Sequence, residues 1–114
     1  MISPSYSKLI QWLLHSLGAT ENYNGFFPAV YAVQLSIGDP ERLRLITKLI
    51  YPDVAAHCGT NWKAVERNIR TLVSVAWEND PLMLSELAGF PLKRKPTNAQ
   101  FLAILTDFCT RIIL

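Results

Sequence analysis

The chain has 114 residues, half of them hydrophobic and 18% charged, so it can bury a real core and is too apolar for a disordered segment. A formal net charge of +2 excludes a polycation, and any affinity for nucleic acid has to come from local clusters of cations. Two cysteines, Cys58 and Cys109, are too few for a disulfide framework, and the apolar run Leu9–Leu14 is too short for a membrane span and lacks a signal-peptide cleavage site, so a cytoplasmic protein is expected.

Ser3-Pro4 opens the first helix, with serine as cap and proline at the first helical position. Leu9, Ile10, Leu13, Leu14 and Leu17 keep helical spacing up to Gly18. A polar turn over 19–25 leads to a second helix, about 25–37, with Phe27, Val30, Tyr31, Val33 and Leu35 as its apolar surface. Asp39 caps a third helix that starts at Pro40-Glu41, buries Leu43, Ile46, Leu49 and Ile50, and stops at Pro52. A short helix over 52–58 closes at Gly59, and a long one covers about 61–78. Asn79-Asp80-Pro81 restarts the chain into a short helix, 82–88, closed by Gly89. After a loop over 90–96, Thr97 and Gln100 form a capping box, and Phe101, Leu102, Leu105, Phe108 and Ile112 run down the last helix. The expected fold is all-α: a compact bundle of about seven helices, two of them short, in a single domain over 1–114, with the apolar end Ile112-Ile113-Leu114 packed against something.

The long helix organises this scheme. At about 100° per residue, Trp62, Val65, Ile69, Leu72 and Ala76 fall on one side, and Lys63, Arg67, Arg70 and Ser74 on the other. Thr60 or Asn61 caps its first turn. A short helix, a glycine turn and a long helix with a cationic outer face make the pattern of a helix-turn-helix, whose second helix enters the major groove. An ordinary basic surface helix gives the same pattern.

Three stretches, in order, resemble the C-terminal effector domain of the sporulation initiation response regulator of endospore-forming Firmicutes: Tyr51-Pro52-Asp53-Val54-Ala55; Val65-Glu66-Arg67-Asn68-Ile69-Arg70 with Ala76-Trp77; and Lys95-Pro96-Thr97-Asn98-Ala99-Gln100-Phe101-Leu102-Ala103. Gly25 and Ile46-Thr47-Lys48-Leu49-Ile50 fit the same family, so the likeness spans roughly residues 10–110. It implies an all-helical fold around a helix-turn-helix that binds a short promoter element, often as tandem head-to-tail copies, with Glu66, Arg67 and Arg70 facing the DNA. The chain departs from the family at Ala64, where an arginine is common, at Thr71, and at Trp62, where a small residue is usual. The sequence is effector-like from Met1, with no phosphoacceptor pocket ahead of it, which fits a stand-alone effector-like protein or the effector part of a longer regulator.

The candidate DNA contacts are Thr60, Asn61, Lys63, Glu66, Arg67, Arg70, Lys93, Arg94 and Lys95. An arginine fork can pair with guanine O6 and N7 or clamp a phosphate. Glu66 can accept from a cytosine amino group or orient an arginine, and its plain alternative is a helical pair with Arg70 at i+4. Lys63, Thr60 and Asn61 suit phosphates near the helix start, and Lys93-Arg94-Lys95 either contacts phosphate beside a helix N-terminus or only solubilises a loop. Trp62 lies nearer the apolar face and is expected in packing rather than on a base, and each cysteine is expected to be buried. The partners expected are double-stranded promoter DNA, bound as a homodimer or tandem copies, and possible pairing with a full-length response regulator; no membrane partner is expected. A module that pairs with or antagonises such a regulator is the alternative function. No Ser/His/Asp set, phosphate-binding glycine loop or metal-ligand spacing is present, so neither enzyme activity, cofactor nor metal is expected.

Overall fold

The structure, a computed structural model, describes residues 4–113. It consists of α1 (Pro4–Ser16), α2 (Phe26–Gly38), a 3-10 segment (Pro40–Leu45), α3 (Ile46–Leu49), α4 (Tyr51–Cys58), α5 (Trp62–Asn79), α6 (Pro81–Ala88) and α7 (Asn98–Ile113), with no strand among the described residues. Ser3 as a cap, and Leu114, lie outside the described residues.

The fold is built round α2. This helix is apolar on almost every side, as a central helix must be: Phe26, Pro28, Ala29, Val30, Ala32 and Val33 are buried, and Ser36 satisfies its hydroxyl by donating to the Ala32 carbonyl at 2.8 Å. It touches α1, the 3-10 segment, α4, α5 and α7. Ile10, Leu13, Leu14 and Leu17 of α1, Val65, Ile69, Leu72, Val73 and Ala76 of α5, and Phe101, Leu102 and Leu105 of α7 complete one continuous core. α1 and α7 therefore bury most of the stripes that their spacing predicts, but Leu9 and Phe108 are half-buried and Ile112, at the end of α7, is exposed.

The joints follow local chemistry. Asp39 accepts from the Glu41 N–H, Asp80 from the Met83 N–H, and Thr97 and Gln100 each accept from the other's N–H, at 3.1 and 2.9 Å. Three expectations give way. The third helix is a 3-10 segment followed by a four-residue helix, and Leu49 is exposed while only Ile50 of its stripe is fully buried. Arg42 accounts for part of this: its Nη1 donates to the Leu49 carbonyl at 2.8 Å and to Asp53 Oδ2 at 2.6 Å, tying the 3-10 segment to the first turn of α4. Pro52 does not end a helix but sits in the first turn of α4, where its missing N–H costs nothing. Phe27 is 55% exposed, because Phe26 takes the inward place and Phe27 packs edge-on against it.

Gly25 fixes how α2 meets α5. A Cβ at this position would stand 2.2 Å from the Asn68 carbonyl oxygen, so the two backbones touch without an intervening side chain.

Candidate nucleic-acid interface

α4, the turn at Gly59 and α5 form the helix-turn-helix. Val54 and Ala55 of α4 are buried in the core that α5 shares, and α4 packs on α5. Gly59 takes the left-handed conformation, φ 69° and ψ 39°, which a side chain rarely adopts and which lets the chain reverse between the helices. The N–H of Thr60 then donates to the Ala55 carbonyl at 2.9 Å. Asn61 is the cap of α5: its Oδ1 accepts from the Ala64 N–H at 2.9 Å. Replacing Asn61 with alanine is therefore expected to cost about 1 kcal/mol, read as a lower midpoint in thermal unfolding, whereas Thr60→Ala is expected to be near neutral.

α5 exposes Lys63, Arg67 and Arg70 along one side and buries Val65, Ile69, Leu72, Val73 and Ala76 on the other. Arg67 makes no ion pair among the described residues, while the Arg70 guanidinium is paired with Glu66 one turn back, as the i+4 spacing allows. Asn98, at the start of α7, braces the helix: its Nδ2 donates to the Tyr51 hydroxyl at 2.9 Å and to the Glu66 carbonyl at 3.0 Å. Burial is the main cause that holds the Tyr51 phenol above its usual pKa, so it stays neutral across the physiological range.

The loop over 90–96 divides. Lys95 reaches the α5 face, where its Nζ donates to Ser74 Oγ at 2.9 Å, and it lines with Glu66, Arg70, Thr47 and Asn98 a cleft of about 400 Å³. The exposed Lys93 and Arg94 line only a second groove, of about 680 Å³ between the loop and α7, which Lys95 also borders, with Phe90, Leu92, Ile104 and Asp107, and to which α5 contributes nothing. Thr60, Asn61, Lys63, Glu66, Arg67, Arg70 and Lys95 are thus gathered at α5, and Lys93 and Arg94 are not.

Two residues stand elsewhere than expected. Trp62 is 41% exposed rather than packed inward, since it belongs to the first turn of α5 and the core begins only at Val65. Cys58 is exposed at the end of α4, while Cys109 is buried. Burial raises both thiols, Cys109 to about 11, so neither is a ready thiolate near neutrality. Asn98 escaped the sequence reading because its partners lie 32 and 47 residues away, beyond any local pattern.

Among the described residues no three His, Cys, Asp or Glu side chains gather as a metal site, and no helix is long and apolar enough to cross a membrane. Residues 10–108 match the family described as sporulation initiation factor Spo0A, C terminal. With 99 of the 114 residues inside that match (108 − 10 + 1), and an all-helical fold that carries the helix-turn-helix, the chain belongs to the Spo0A C-terminal family, the DNA-binding effector domains of a sporulation transcription regulator.

Proposed function

We propose that α5 is the recognition helix of this domain and lies in the major groove of a promoter element. One observation carries the reading: a capped helix, backed by α4, α2 and α7, offers Lys63, Arg67 and Arg70 to solvent along a single side. Arg67 and Arg70 contact base edges, with guanine O6 and N7 as the natural acceptors. Lys63, Lys95 and the turn residues Thr60 and Asn61 hold phosphates; Asn61 keeps its amide hydrogens for this, since only its oxygen is used in the cap. Lys93 and Arg94, set beside α7 and away from α5, contact phosphates rather than bases. The domain spans residues 1–114 and occupies its element as tandem copies or a homodimer.

Glu66 has a positioning role. Paired with Arg70, it fixes where that guanidinium points and repels phosphates from the base-reading part of the helix. Glu66→Gln is expected to bind a scrambled duplex more tightly and to discriminate less between that duplex and the element, because a repulsive charge is lost together with the arginine's restraint. Fluorescence anisotropy on both duplexes measures this.

The reading as a whole is tested by anisotropy with a duplex carrying the family's promoter element and with its scrambled version, over a salt series. A preference for the element, with affinity that falls steeply as salt rises, is the expected result. Equal binding to both duplexes would remove specific recognition.

A further inference from the structure

Trp62 is a large apolar side chain at the leading end of α5, and about two-fifths of it, 41%, is exposed. Helical side chains lie over the turn N-terminal to their own Cα. The indole accordingly stands by the turn Gly59–Asn61, whose residues are all exposed. The Lys63 ammonium lies 5.8 Å from the centre of the Trp62 ring, a contact that steadies the indole against a cation. No acidic residue occupies the first turn of α5, and the positive end of the helix dipole adds to Lys63 there. A partner complementary to this corner is an anion with apolar points at its surface. Duplex DNA meets both conditions, because the major groove carries the C5-methyl group of every thymine among otherwise polar base edges.

We infer that Trp62 packs against a thymine methyl in the major groove and makes the domain prefer thymine at one position of its element. This rests on α5 being the recognition helix. It adds an apolar contact to a helix otherwise equipped with charges, and one that releases no counterions.

Anisotropy with a set of duplexes tests it. Each carries the family's promoter element with one thymine replaced by deoxyuridine, which removes the methyl and nothing else. The wild-type protein is expected to lose roughly 3- to 10-fold in affinity on one of these duplexes. Trp62→Ala is expected to bind that duplex and the parent element equally, with an unchanged dependence on salt. Trp62→Phe, which keeps an apolar ring, should retain part of the methyl effect. A wild-type protein that prefers the element over a scrambled duplex yet ignores every thymine replacement would overturn the Trp62 contact and leave the recognition helix standing. Persistence of the methyl effect in Trp62→Ala would overturn it equally. No preference for the element at all would bring down both.

Discussion

Changing Arg67 and Arg70 together to alanine is expected to abolish discrimination between the promoter element and a scrambled duplex while leaving the fold in place. Each bidentate arginine–guanine contact is worth about 1–3 kcal/mol of discrimination, so the pair accounts for roughly 2–6 kcal/mol, or about 30-fold to 20,000-fold in affinity ratio. Both side chains are exposed and support no core contact. Among the described residues, the one side-chain pair lost is the surface pair between Arg70 and Glu66, at a cost of about 0.3–0.5 kcal/mol. Thermal unfolding should therefore move by no more than a few degrees while specific binding disappears. The single variants are expected to differ. Arg67 has no partner to leave, among the described residues, so its loss is a loss of DNA contact alone; removing Arg70 also leaves Glu66 as an unpaired carboxylate facing the DNA. Full discrimination by the double variant would show that this face of α5 does not carry recognition.

The largest expected effect on stability lies at Gly25. Its backbone angles, φ −83° and ψ −5°, have negative φ and do not demand glycine, so the obstacle to alanine there is not the backbone conformation. What it meets is main chain: the new Cβ would stand 2.2 Å from the Asn68 carbonyl oxygen and 2.7 Å from the carbonyl carbon. Neither atom can rotate aside, and relief requires α2 and α5 to separate where Phe26 and Ile69 enter the core. Gly25→Ala is expected to destabilise the protein by about 3 kcal/mol, a fall of roughly 12 °C in the unfolding midpoint. Gly38→Ala is the control, since a Cβ there meets nothing within 4 Å. Equal melting of Gly25→Ala and the wild type would mean that the two helices are not in backbone contact.

The sequence shows most of the helices plainly, because their signals are local. Caps at Asp39 and Asn61, the reciprocal pair Thr97–Gln100 and the stripes of α1, α5 and α7 each depend on residues within one or two turns. The failures share another cause. The 3-10 segment, the exposure of Phe27 and Leu49 and the position of Trp62 are set by where neighbouring elements end, and periodicity carries no information on that. Trp62 has the angular position of a core residue, but the core stops one turn short of it. At the candidate interface, the cations of α5 could be placed on one face from spacing alone. That Lys95 joins them through Ser74 while Lys93 and Arg94 turn to the α7 groove depends on the path of a loop. The brace from Asn98 to Tyr51 and to α5 is a long-range contact of the same sort.

The central claim, that the outer face of α5 lies in the major groove, is tested most directly by methylation interference. Dimethyl sulfate places a methyl on guanine N7, in the major groove, and on adenine N3, in the minor groove. Duplexes carrying the promoter element are lightly methylated, bound, separated into bound and free fractions, and cleaved at the modified bases. Arginine readout by Arg67 and Arg70 predicts that N7-methylated guanines within the element are depleted from the bound fraction, and that Arg67→Ala loses part of this pattern. Interference confined to adenine N3, or a guanine pattern unchanged by Arg67→Ala, would contradict the assignment of α5 to the major groove.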